Sequence, residues 1–201
     1  MKAVLNSIFF LACMGSLTAA CQQPRRVAIN ESYRKATEQE LNDHADEIKA
    51  ELIASRDFDD FTYAVFENQQ EIRHGFYFSM VLDFEDGEAE AFPNTRESNV
   101  YRNPQAKVSL LEGTEGFART GGTSYGHSYM IAVIHDQALL QEVESVKVTF
   151  KDASQKILPA KDKKAILYLN QQQKECCKQV DFVSASGKVL NHRADGIQVS
   201  P

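Results

Sequence analysis

The stretch Gly75-Phe76-Tyr77-Phe78-Ser79-Met80-Val81-Leu82-Asp83-Phe84-Glu85-Asp86-Gly87 decides the fold class. Phe76, Phe78, Met80, Leu82 and Phe84 recur at every second position, with Tyr77, Ser79 and Asp83 between them. A strand sends successive side chains to opposite faces, so this spacing predicts a strand with one apolar face. Asp86-Gly87 is the dipeptide of a tight hairpin turn and predicts a return strand near residues 88–92.

The same period extends to both sides of this stretch. Phe61, Tyr63 and Val65 alternate with Thr62, Ala64 and Phe66, and further strands are expected at 107–111, 129–135 and 145–151. Residues 93–104, with two prolines and three asparagines, read as loop. Asp136 is placed to cap a short helix over 138–143. A weak repeat sets Val148, Phe150, Ala153, Lys156 and Leu158 against Val180, Phe182, Ala185, Lys188 and Leu190, each copy reading as strand, turn, strand. Two copies make similar hairpins in one sheet rather than a solenoid.

A helix is expected over residues 38–55. Thr37 and Glu40 have the spacing of a capping box, and Leu41, Ala45, Ile48 and Leu52 form one stripe. Short strands at regular spacing argue against alternating βαβ units. The expected fold is therefore mainly β: an antiparallel sandwich or barrel-like domain over residues 37–201, with an N-terminal amphipathic helix (α+β).

Composition supports a packed globular chain, with 43% hydrophobic and 25% charged residues in 201. A net charge of −6 argues against a simple nucleic-acid binder, because phosphate neutralisation needs surplus cations. Only residues 3–16 form a long, mostly apolar stretch. That run is too short for the ~30 Å of a bilayer core and suits a signal peptide. The stretch 21–36, with Pro24 and no periodic apolar face, reads as a tether.

Leu17-Thr18-Ala19-Ala20-Cys21 resembles the lipobox of bacterial lipoproteins, with Thr18 where leucine is commoner. The resemblance covers the signal segment, residues 1–20, and its cysteine. It implies cleavage after Ala20, a diacylglycerol thioether on Cys21 and an acylated amino terminus. Gln22, where an aspartate tends to retain such proteins at the inner membrane, implies the periplasmic face of the outer membrane. Several acyl chains, each buried CH₂ contributing about 0.8 kcal/mol, anchor a protein that no segment spans.

Three sets of residues raise the question of chemistry. Gly122-Thr123-Ser124-Tyr125-Gly126 fits G-x-S-x-G, and Asp181 and His192 follow in the order of a serine hydrolase. The flanking sequence favours strands over the strand–turn–helix elbow that this motif needs. Cys176 and Cys177 are adjacent, closer than an unstrained disulfide allows, which leaves two free thiols, a vicinal redox or metal-handling pair, or a bridge to another chain. His127 and His135 are eight apart, roughly 27 Å along one strand, so they cannot share a metal. No metal or other cofactor is expected beyond the lipid on Cys21. The acidic residues 83–90 read as a solvated hairpin tip. The leading expectation is a non-enzymatic binding or structural module of the envelope, whose partner is a protein or cell-wall component. A small serine hydrolase at Ser124 and a redox module at Cys176–Cys177 are the alternatives.

Overall fold

The structure is a computed structural model that describes residues 27–58, 60–118, 124–170, 177–194 and 198–199. Three sheets are packed as layers. The first contains β1 (Ala28–Lys35), β2 (Glu51–Phe58), β3 (Phe61–Glu67), β4 (Glu71–Phe84) and β5 (Ala89–Tyr101). The second contains β6 (Val108–Ala118), β7 (Ser124–Ile134), β10 (Ala165–Asn170) and the short β13 (Gln198–Val199). The third contains β8 (Val143–Phe150), β9 (Gln155–Pro159), β11 (Cys177–Ser184) and β12 (Val189–Ala194). Pairing is antiparallel except for β13 on β6. The mainly β, sandwich-like expectation holds.

The middle sheet supplies both cores. Tyr129, Ile131 and Val133 of β7 pack with Phe61, Tyr63, Val65, Ile72 and Phe76 of the first sheet. Met130, Ala132 and Ile134 point the other way, against Val146, Val148, Val180 and Phe182 of the third. A strand buried on both faces needs a continuous apolar run, which Tyr129–Ile134 provides. Every one of these six residues is at most 2% exposed.

Helix α1 (Glu38–Glu47) lies on the outer face of the first sheet, where Leu41 and Ala45 meet Ala64, Phe66 and Tyr77. Its capping box forms as expected: the Glu40 N–H donates to Thr37, and the Thr37 N–H donates to Glu40 Oε2 at 2.7 Å. The helix ends eight residues before residue 55. Ile48 closes it, Lys49 turns the chain at φ 53°, and β2 begins at Glu51. The apolar stripe misled because Ile48, Ala50 and Leu52 join the same cluster as Leu41 from a turn and a strand. Helix α2 (Gln137–Glu142) is capped by Asp136, which accepts from the Leu139 N–H at 2.8 Å.

Two further expectations are corrected. Residues 28–35, placed in the tether, form β1, which pairs with the outer half of β4. Most of β1 is exposed, so it carries no apolar alternation to reveal it. Residues 93–101, read as loop, continue β5 along the full length of β4. An edge strand tolerates Pro93, because its missing N–H breaks no inner ladder.

The repeat has a geometric basis. β8 and β11 are antiparallel neighbours with Val148 opposite Val180, and each returns outward as β9 or β12. A local two-fold through that pair maps position 148 onto 180, which is the observed spacing. The turns depart from it, at 150–154 and 184–188, because β11 runs further before turning.

Candidate functional site

The period-two runs that build the first core end in polar residues. Phe61, Tyr63 and Val65 are followed on the same face by Glu67, and Tyr129, Ile131 and Val133 by His135. Ser109 precedes Leu111 in the same way on β6. These three polar residues meet at one end of the layer between the first and second sheets.

Ser109 Oγ lies 2.8 Å from His135 Nε2. His135 Nδ1 lies 3.0 Å from Glu67 Oε1, and the two side chains are 4% and 3% exposed. The Glu67 carboxylate is also ion-paired with Lys164, Nζ at 2.9 Å, and with Arg102, Nε at 3.3 Å. Lys164 reaches Glu51 as well, at 2.8 Å. Burial pushes the Glu67 carboxyl up, but His135 and Lys164 outweigh it and hold it at about 2. Lys164 is disfavoured by burial and raised overall by Glu51 and Glu67.

Two open clefts flank this cluster and share Glu51. One, of about 590 Å³, runs between β2 and residues 158–167. The other, of about 670 Å³, lies among residues 48–51 and 67–73. A smaller pocket of about 180 Å³ sits between α1 and β5. Beside it, Glu40 is held at about 2, chiefly by the two-pronged contact with Arg34 at 2.8 and 2.9 Å.

The residues singled out from sequence are dispersed. Asp181 and His192 do meet, as direct cross-strand partners on β11 and β12, with Nδ1 2.6 Å from Oδ1. Gln179 donates to the other Asp181 oxygen at 2.8 Å. Ser124 belongs elsewhere. Its backbone opens β7 opposite Ala118, no helix follows it until α2, and its side chain lies outside those described. Arg193, next to His192, contacts the Val108 carbonyl at 3.5 Å, at the far end of β6 from Ala118. Ten residues of strand separate those ends, about 34 Å at 3.4 Å per residue, so Ser124, Asp181 and His192 are not one site.

Cys177 opens β11, is 8% exposed and packs in the second core; Cys176 and Cys21 lie outside the described residues. His127 packs edge-on to Phe58 and tilted against Phe61 and Phe76, well away from His135. Among the described residues no group of three or more His, Cys, Asp or Glu is placed to hold a metal. The acidic hairpin tip forms as expected, with Gly87 at φ 79° in the turn.

The sequence reading missed Glu67, His135 and Ser109 as a group. Their signal was an apolar period-two run broken by a polar residue at its end, visible only once the strands are aligned. The chain matches no family model, and no curated protein or solved structure is significantly similar to it.

Proposed function

We propose that this chain is a lipid-anchored module of the bacterial cell envelope, held on the periplasmic face of the outer membrane, that binds another envelope component. The observation that carries the reading is the Leu17–Cys21 lipobox so close before the first strand. Seven residues from Cys21 to Ala28 reach at most about 25 Å, which keeps that end of the domain near the bilayer.

This tether gives the domain a direction. Ala28 pairs with Phe84, at the turn between β4 and β5. The opposite end of β4 is Glu71, about 44 Å away along the strand. There the two large clefts open on either side of Glu51, facing away from the membrane. A partner in the periplasm or on the cell wall meets this end first.

Mass spectrometry of the purified protein tests the anchor. The expected species begins at Cys21 and carries acyl chains, and Cys21→Ser moves the protein from the membrane fraction to the soluble one. An unprocessed start or a bare thiol at Cys21 would sink the reading. Photo-crosslinking residues at Asn68 and Asp162, beside the clefts, are expected to capture a partner that the same residue at Asp86 does not.

A further inference from the structure

We propose that Ser109 is the nucleophile of an acyl-transfer site, with His135 as its general base and Glu67 as the residue that positions the base. The substrate class is a carboxylic ester. This goes beyond membrane anchoring and binding, and does not depend on either.

Three features point to it. First, the order of atoms is that of an activated hydroxyl: Ser109 Oγ to His135 Nε2 at 2.8 Å, then His135 Nδ1 to Glu67 at 3.0 Å. The Nδ1–Oε1 contact is an ion-pair distance in which neither atom is aligned for a hydrogen bond. The carboxylate's charge beside Nδ1 favours the ring proton on that side, leaving Nε2 to accept from the serine hydroxyl. Second, burial is graded. The Glu67 and His135 side chains are almost wholly covered, whereas Ser109 is partly exposed. A reacting hydroxyl must be reachable, and the groups behind it are best kept dry. Third, Glu67 does not depend on the histidine alone for a counter-charge: Lys164 and Arg102 face it as well, and a general base has to be free to take up a proton.

The step conserves atoms and electrons. Ser109 Oγ attacks the ester carbonyl carbon as its proton passes to His135 Nε2, forming the Oγ–C bond. The tetrahedral adduct expels the alcohol, which takes that proton from Nε2 as the C–O bond breaks. Water then attacks the acyl-serine, gives its proton to Nε2, and releases the carboxylic acid as the proton returns to Oγ. Glu67 stays ionised and steadies the transient imidazolium.

A fluorophosphonate probe on the intact purified protein, with the adduct mapped by mass spectrometry, tests the site. The expected adduct is on Ser109. It vanishes in Ser109→Ala, forms about 100-fold more slowly in His135→Gln, and persists in Ser124→Ala. Ser109→Ala leaves the ion pairs untouched, so its fold is expected to survive and is checked by circular dichroism. Glu67→Gln should slow the reaction and Glu67→Asp partly restore it, each rate being taken per folded molecule so that lost folding is not counted as lost positioning. An unlabelled folded wild type, an adduct on Ser124, or equal labelling of Ser109→Ala would each overturn the proposal.

Discussion

Glu67 occupies the position where the alternation of β3 would place a fourth core side chain, and its carboxylate is 3% exposed. A buried charge survives there because Lys164, Arg102 and His135 surround it, and removing one member leaves the others uncompensated. Glu67→Gln is therefore expected to destabilise the fold by about 3 kcal/mol in urea unfolding. Its pH signature follows from the direction of the shift. The folded carboxyl titrates at about 2 against 4.5 unfolded, so its contribution is complete above pH 4.5 and is lost as the pH falls towards 2. His74 acts higher on the scale. Wholly buried and hydrogen-bonded to Tyr63 at 2.9 Å, it is pushed down by burial to about 4, so its neutral form stabilises the fold above pH 6.5. That contribution fades between pH 6.5 and 4, where the unfolded chain binds the extra proton. Urea midpoints across pH 7 to 2 should fall in two steps, with Glu67→Gln shrinking only the lower one, to which Glu40 also contributes. A single step unaffected by that substitution would contradict this assignment.

Among the elements, β4 carries the first sheet. Fourteen residues long, it pairs with β5 on one side and with β3 and β1 in succession on the other. In its first half Gly75 has φ 156°, and a Cβ there would come 2.0 Å from the Arg96 carbonyl oxygen of β5. Backbone on a neighbouring strand cannot step aside as a side chain can, so the strand has room for hydrogen only. Gly75→Ala should cost several kcal/mol and expose the amides of residues 95–99 to hydrogen exchange, while amides of β8 and β11 stay protected in whatever fraction remains folded. Normal protection at 95–99 in a stable Gly75→Ala protein would show that the close approach is not needed. β4 was legible in the sequence because one of its faces is apolar. β1 and most of β5 were not, because their pairing depends on β4 rather than on any pattern of their own.

Across the whole molecule, the middle sheet couples two cores that share no side chain. Alternate residues of one six-residue run serve each, so loss of β7 removes support from both the first and the third sheets. Ile131→Ala, in one core, and Met130→Ala, in the other, should each cost about 2–5 kcal/mol. Both should shift a single transition followed by tyrosine fluorescence and by amide exchange in β8 and β11. Tyr63 and Tyr129 report on the first core, and the absence of Trp leaves their emission unobscured. Separate transitions for the two cores would mean that the layers fold independently.

Local physics fixed the strand alternation of 61–66 and 76–84, the tight turn at Asp86-Gly87, and the two caps at Thr37 and Asp136. Each depends on residues within a few positions of one another, so the sequence alone was enough. The order Ser124, Asp181, His192 did not say which of them would meet: Asp181 and His192 face each other across β11 and β12, and Ser124 is remote. The end of α1, the pairing of β1 and the gathering of Ser109, His135 and Glu67 were decided by tertiary structure. These join strands β3, β6 and β7 and the loops before β10, from 42 to 97 positions apart along the chain, counting from Glu67 to Ser109 and to Lys164. No local periodicity records which sheet edge will face another, because sheet stacking is set by total burial rather than by neighbours in sequence.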